Sequence, residues 1–424
     1  MSGLAANHKS KAIVFANSYI FIKIAVSPAS MKHLLLALAL GMHDPVEVKN
    51  IPHNNILVEQ TRFVVTHNQD QKTGILSLNS KGVYFYEKQN SGYGEAQFIL
   101  PVKTRAEDRH WLGIGDFNND GKEDIAYIVN HTLHVHKNVS STSIPSFSKP
   151  DFVLGMPHDK TADPKSFVTK DKENGFVADM NNDGLLDIVI NNATGCYMFQ
   201  NKGNLFFDTT KGPTIEFSRH VGEWGLEPVA YDWNHDGKLD VMLGSSQGIF
   251  VSYGGFGKPV KVADAKTAPY TSEDLDNFIN NLNAVTFPYV PQYTFDDTII
   301  LHSGIIDGKN VLVAGTLFGF FALSDKIERL RMLDKQGNFM DRLRLAGNDH
   351  PDFGVNEKIV YATKAGLFVA RNVNGFYKQQ MYGRVRDGGA NDRVYILPVD
   401  YDGTPQDYAI GTSTLLQFFT GVEP

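Results

Sequence analysis

The sequence predicts an all-β fold, a seven-bladed β-propeller with one short inserted helix. Three observations carry that expectation. A nonapeptide pattern, D-x-N-x-D-G-x-x-D, occurs three times. A short apolar, β-branched run follows each copy, and a second strand-like run recurs seven times along the chain. Together they are the expected imprint of a multi-stranded unit repeated around a ring.

The acidic copies are "DFNNDGKED" at 116–124, "DMNNDGLLD" at 179–187 and "DWNHDGKLD" at 232–240. After them come "DIAYIV", "DIVI" and "DVML", whose β-branched and apolar content reads as strand. An EF-hand would need flanking helices and a bidentate glutamate at position twelve. Position twelve is Tyr127, Ile190 and Leu243, so that reading is excluded. Each nonapeptide is instead the turn of a β-hairpin.

The chemistry of these turns suits calcium, a hard cation that takes oxygen ligands. Alternate side chains point inward, the glycine at position six permits a tight bend, and the carbonyl at position seven adds an oxygen. The expected ligands are Asp116, Asn118, Asp120 and Asp124 with the Lys122 carbonyl in the first loop. The second loop offers Asp179, Asn181, Asp183 and Asp187 with the Leu185 carbonyl, and the third Asp232, Asn234, Asp236 and Asp240 with the Lys238 carbonyl. Without a cation these carboxylates repel one another. Magnesium demands stricter octahedral geometry and zinc would want His or Cys. About three structural calcium ions are therefore expected.

The recurring strands are "GVYFYEK" from Gly82, "TLHVHKN" from Thr132, "GCYMFQN" from Gly195, "GIFVSYG" from Gly248, "GFFALSD" from Gly319, "GLFVARN" from Gly366 and "LLQFFTG" from Leu415. They begin roughly 47 to 71 residues apart. The strand before each is also legible, as in "NVLVAGT", "KIVYATK" and "DYAIGTS". Blade one is expected to be completed by strands from near both termini. The long interval before "GFFALSD" contains "TSEDLDNFINNLNAV", 271–285, where Leu275, Phe278, Ile279 and Leu282 make one apolar face behind a Thr/Ser cap. That is the inserted helix. The expected organisation is a leader over 1–45 and the propeller over 46–424.

The chain has 424 residues and a formal net charge of −7, which argues against general nucleic-acid binding. Its single cysteine, Cys196, rules out an intrachain disulfide and reads as a small core residue. Two apolar runs, Ala12–Val26 and one beginning at Leu34, resemble the hydrophobic part of a secretory signal, with Met31 as an alternative start. Neither reaches the length of a membrane span. A secreted, periplasmic or cell-surface location is expected, where abundant calcium would fill even weak sites.

The combination of strand, D-x-N-x-D-G-x-x-D, strand, turn and a Gly-led strand resembles the FG-GAP (VCBS) repeat. That resemblance covers roughly residues 50 to 424. Three blades carry the full motif, and the last keeps a broken version, "DYDGTPQD", with Asp400, Asp402 and Asp407. FG-GAP propellers form the heads of integrin α-subunits, several sugar-binding lectins and some polysaccharide-active enzymes. The resemblance implies that the acidic loops share one rim.

The segments leading into the innermost strands then lie on the opposite rim. Several are rich in Arg, His and aromatic residues: Arg109, His110 and Trp111 in "RAEDRHW", Arg219 and His220 in "EFSRHVGEW", and Arg386 in "YGRVRDGGANDR". Guanidinium groups bind carboxylate or sulfate and aromatic rings stack on sugars. The expected function is a calcium-stabilised extracellular module that binds a glycan or glycoprotein, as a lectin or in adhesion. The alternative is a polysaccharide lyase in which His or Tyr removes a proton and Arg neutralises a uronate carboxylate. Ordinary solvated loops are the plainer account of the same residues. "GSSQG", 244–248, fits the serine-hydrolase pattern but aligns with inter-strand turns of other blades. Asn130, Asn138 and Asn192 begin N-x-[ST] triplets, which arise readily by chance.

Overall fold

The structure is a computed structural model that describes residues 45, 47–50, 61–67, 73–90, 92–102, 111–156, 173–192, 195–208, 228–245, 248–255, 258–264, 300–316, 319–323, 327–333, 353–355, 357–363, 366–384, 395–399, 407–412 and 415–420. The chain divides into Met1–Gly41 and Met42–Pro424, and every described residue lies in the second unit. The expected leader and the helix at 271–285 fall outside the described residues.

The first strand is β1 (Glu47–Asn50). Blade 1 is β2 (Arg62–His67), β3 (Thr73–Asn79), β4 (Gly82–Glu87) and β5 (Gln97–Leu100). Blade 2 is β6 (Trp111–Gly115), β7 (Asp124–Val129), β8 (Thr132–His136) and β9 (Phe152–Gly155). Blade 3 is β10 (Asn174–Ala178), β11 (Asp187–Asn192), β12 (Gly195–Asn201) and β13 (Phe207–Asp208). Blade 4 is β14 (Val229–Tyr231), β15 (Asp240–Ser245), β16 (Gly248–Ser252) and β17 (Val260–Asp264). Blade 5 is β18 (Ile300–Ile306), β19 (Lys309–Thr316), β20 (Gly319–Leu323) and β21 (Ile327–Arg329). Blade 6 is β22 (Met332–Leu333), β23 (Phe353–Val355), β24 (Lys358–Thr363), β25 (Gly366–Val373) and β26 (Phe376–Gly383). Blade 7 is β27 (Tyr395–Val399), β28 (Asp407–Gly411) and β29 (Leu415–Phe419).

Within each blade consecutive strands pair antiparallel, and β22 adds itself to blade 6 parallel to β26. The innermost strands neighbour one another in the order β2, β6, β10, β14, β18, β23, β27 and back to β2. The ring is therefore closed, with seven blades. All seven recurring runs are the third strands of their blades: β4, β8, β12, β16, β20, β25 and β29.

The closing blade differs from expectation. Blade 1 is continuous in sequence, and blade 7 is the one that joins distant segments. Strand β1 pairs antiparallel with β29, setting Glu47 opposite Phe418 and Lys49 opposite Leu416. The reason is the outer edge of β29, whose unpaired donors and acceptors are satisfied by β1. The seam to blade 1 is reinforced on both sides. Tyr93 stacks on Phe418 with ring centroids 4.8 Å apart, and Lys49 Nζ lies 2.9 Å from Glu95 Oε1.

The core lies between blades, because a blade packs both of its faces against neighbours. Middle strands are accordingly apolar throughout rather than alternating, and β7 and β28 are buried along their whole length. One interface joins Trp111, Ile128 and Leu133 of blade 2 to Ile188, Ile190 and Phe199 of blade 3. The inner strands crowd towards the axis, where space is scarce. A β-carbon at Gly115 would stand 2.6 Å from Leu186 Cδ1 and 3.2 Å from Val177 Cγ1, so a side chain there would have to push the tip of Leu186 aside. Cys196 is a core residue, and burial pushes its thiol up to about 12. The "GSSQG" segment begins at the end of β15 and ends at the start of β16, and Ser245 pairs antiparallel with Gly248, so it joins two strands and is not the strand-to-helix elbow of a serine hydrolase.

His136 is a titratable group in the core. His136 donates from Nδ1 to Ser148 O at 2.9 Å, so its neutral ring accepts at Nε2 from Tyr127 O–H, 3.0 Å away. Tyr127 and His134 face it, with Asp151 as the nearby carboxylate. Burial holds the His136 pKa below its usual 6.5, despite the Ser148 bond and Asp151. A base depressed in the folded state contributes stability that is present above 6.5 and lost as pH falls below it. A melting-temperature profile against pH should therefore fall on its acid side, and His136→Gln should flatten that limb. An unaltered limb in the variant would place the acid sensitivity elsewhere.

Candidate metal centres on one rim

The acidic turns connect the first and second strands of blades 2, 3 and 4, and all three fold alike. Position four takes positive φ in each: Asn119 at 57°, Asn182 at 58° and His235 at 57°. The glycine at position six follows at φ 82°, 82° and 83°, a region that L side chains rarely adopt. These two left-handed residues, separated by position five, reverse the chain within the nonapeptide.

The carboxylates take the same partners in each loop. Position one accepts from the N–H groups of positions five and six: Asp116 from Asp120 and Gly121 at 3.0 and 2.7 Å, Asp179 from Asp183 and Gly184 at 3.1 and 2.8 Å, Asp232 from Asp236 and Gly237 at 3.0 and 2.9 Å. Position five accepts from the N–H of position seven. Position nine is buried and accepts two backbone N–H groups in each loop. Asp124 takes the N–H of Phe117 at 3.1 Å and of Asn138 at 2.7 Å, and Asp187 takes Met180 at 3.1 Å and Asn201 at 2.8 Å. Asp240 takes Trp233 at 3.0 Å and Gly254 at 2.8 Å. The position-nine carboxylate thus ties its loop to the third strand of the same blade.

Position two anchors the loop from below. Phe117 is fully buried between blades 2 and 3, Met180 between blades 3 and 4, and Trp233 packs towards blade 5. Side chains at position four join the loops in series. Asn119 Nδ2 donates to Gly184 O at 3.3 Å, and Asn182 Nδ2 donates to Gly237 O at 3.1 Å. The three turns are therefore neighbours on one rim. Glu123 extends the chain backwards, accepting from Thr66 Oγ1 and His67 N of blade 1 at 2.6 Å each.

Burial pushes the Asp124 carboxyl up to about 7, and raises Asp187 and Asp240 as well. For Asp120 the opposite holds: desolvation is outweighed by the Lys137 ammonium and the Lys122 N–H, which hold it below the usual carboxylate range. The Lys238 N–H and the Asn234 amide do the same for Asp236. Among the described residues no three His, Cys, Asp or Glu side chains converge as a ready metal cluster. The carboxylates turn to backbone N–H groups instead. What the loops offer is an all-oxygen donor set, with one acceptor, Asn118 Oδ1, buried and without a hydrogen-bond partner.

On the opposite rim the picture is sparser. Arg109, His110, Arg219, His220 and Arg386 lie outside the described residues. Trp111 is 5% exposed and its Nε1 donates to Gly175 O at 2.9 Å, so its ring packs between blades 2 and 3. Arg62, which belongs to no motif in the sequence, stands at the start of the innermost strand of blade 1. Its guanidinium donates to Asn174 Oδ1 of blade 3 at 2.7 Å and lies 5.6 Å from the Tyr395 ring centroid of blade 7. The available signal was positional: all three residues open or nearly open an innermost strand. Of the three sequons, Asn138 and Asn192 are buried, and Asn138 Nδ2 donates to Glu123 O at 3.0 Å.

Residues 179–243 match the FG-GAP-like repeat family. No curated protein sequence matches the chain. Among solved structures, the chain is similar to a lectin from Agrocybe aegerita described as recognising non-reducing terminal N-acetylglucosamine, with a TM-score of 0.50, 16% identity, and coverage of 86% of this chain and 88% of that one. It also aligns with BBS1N in complex with ARL6DN, at a TM-score of 0.49 and 9% identity over 87% of this chain and 94% of that one. At such identities the likeness concerns the fold. The chain is a seven-bladed β-propeller that carries an FG-GAP-like repeat at 179–243.

Proposed function

We propose that the protein is a calcium-stabilised extracellular binding module whose ligand is a glycan or glycoconjugate. The observation that carries the calcium part is the threefold recurrence of one oxygen-lined loop geometry, with the copies bonded in series along one rim. Buried carboxylates with raised pKa values, Asp124 foremost, mark places where positive charge would be stabilising. The unpartnered Asn118 Oδ1 is one more oxygen free to coordinate. The residues fit a hard cation: Asp116, Asn118, Asp120, Asp124 and the Lys122 carbonyl would hold one, with the matching sets of loops 2 and 3. Bound calcium would neutralise the loop and brace the hairpin, contributing stability by mass action. The abundance of calcium outside cells agrees with export.

The glycan part rests on the Arg and His residues before the innermost strands and on the lectin likeness. It is tested by glycan-array screening of the intact protein with calcium and with EDTA, beside an absorbance assay for unsaturated uronate products. Binding to defined glycans without product formation is expected. Release of unsaturated product would replace the binding module by a lyase. In parallel, EDTA should lower the melting temperature, with calcium restoring it and magnesium restoring much less. A melting temperature indifferent to EDTA and calcium would overturn the calcium reading.

A further inference from the structure

The three loops share a backbone but not a charge environment. The residue thirteen positions after the position-nine aspartate is Lys137 in loop 1, Gln200 in loop 2 and Tyr253 in loop 3. These positions correspond structurally, because the next residue, Asn138, Asn201 or Gly254, donates its N–H to that aspartate in every case. Only in loop 1 does the position carry a cation, and there Lys137 Nζ lies 2.9 Å from Asp120 Oδ2.

The ammonium rearranges the loop's oxygens. In loops 2 and 3 the position-three amide donates to the position-five carboxylate, Asn181 to Asp183 Oδ2 at 2.9 Å and Asn234 to Asp236 Oδ2 at 3.0 Å. Lys137 occupies that oxygen in loop 1. Asn118 Nδ2 turns instead to Asp124 Oδ2, 3.1 Å away, which leaves Asn118 Oδ1 buried and unpartnered. A lysine therefore sits on one expected ligand and redirects a second.

We infer that Lys137 is an affinity-determining residue that makes loop 1 the weakest of three unequal calcium sites. This rests on the calcium reading above. Asp120 can still give one oxygen to calcium while Lys137 holds the other, so the site is weakened and not abolished. The ammonium neutralises part of the loop's charge and repels the incoming divalent ion. For a partly exposed pair, screened nearly as in water, that repulsion costs affinity on the order of tenfold. Loops 2 and 3 fill first, and loop 1 responds to calcium over a higher concentration range.

The test is calorimetric titration of the chelator-treated, full-length protein with calcium chloride. The wild type should show two tighter sites and one weaker. Lys137→Gln should bring the weak site to the level of the others, a gain on the order of tenfold that shrinks as sodium chloride is added. Lys137→Arg, which keeps the charge, should titrate as the wild type. Gln200→Lys should transplant the effect and weaken loop 2. Lys137 is 40% exposed, so these variants leave the core untouched. Three indistinguishable sites in the wild type, or a Lys137→Gln titration identical to it, would overturn this inference while leaving the calcium reading intact. No calcium binding at all would remove both.

Discussion

Asp187→Ala is expected to unfold more of this protein than any other single change in the acidic loops. The carboxylate is fully buried and accepts from two backbone N–H groups, Met180 on its own loop and Asn201 at the end of the third strand. Truncation leaves both donors unpaired, at about 1–3 kcal/mol each, or about 4 kcal/mol in all. The damage spreads beyond blade 3. Asn201 Nδ2 also reaches Phe117 O of blade 2 at 2.8 Å, so releasing Asn201 loosens the neighbouring loop as well. Asp187→Asn separates scaffold from ligand. Its amide oxygen still accepts, so the loss of stability should be well under half, yet the missing charge should remove one bound calcium. Chemical denaturation in EDTA reads the first effect and calcium stoichiometry reads the second. If Asp187→Ala costs less than about 1 kcal/mol in EDTA, the carboxylate is no structural tie.

The second large effect is expected at the closing seam. Phe418 is fully buried, pairs across from Glu47 and stacks on Tyr93 of blade 1. Phe418→Ala should cost about 3–5 kcal/mol, since it removes a large ring from β29, which no local covalent connection ties to its neighbour β1. Deleting residues through Asn50 acts at the same place by another route. It strips β1 from β29, and an uncovered strand edge templates pairing with another chain. Size-exclusion chromatography should show self-association of the truncated protein, and its unfolding should lose cooperativity. A truncated protein that stays monomeric with an unchanged melting temperature would show that β1 is dispensable to the ring.

Much of this architecture was legible in the order of residues. Middle strands are buried on both faces, so the second strands "DIAYIV" and "DYAIG" stand out as apolar runs, and the seven recurring third strands announce seven blades. The acidic loops were legible because their shape is local. Positive φ at positions four and six needs Asn or His followed by Gly, and the chain spells that out within nine residues. Closure was harder to place. Which blade receives the strand from the other end depends on the edge of β29, and no residue of β1 announces its partner some 370 positions away.

The remaining features belong to tertiary structure because they come from side chains that the ring brings together. Lys137 looks like any surface lysine until the β7–β8 hairpin carries it to Asp120. Arg62, Asn174 and Tyr395 come from three different blades and meet only because innermost strands converge on one axis. Trp111 reads in sequence as an exposed aromatic beside Arg and His, yet the twist of its blade turns it against Gly175 and buries it. Sequence by itself determined the recurring strands, the number of blades and the oxygen-lined turns, since these follow from short-range periodicity and backbone conformation. Only the closed ring decided which turns bond in series and which strand seals the seam, because those are distances between residues far apart along the chain, while the pairing of the second and third strands decided which carboxylate meets an ammonium.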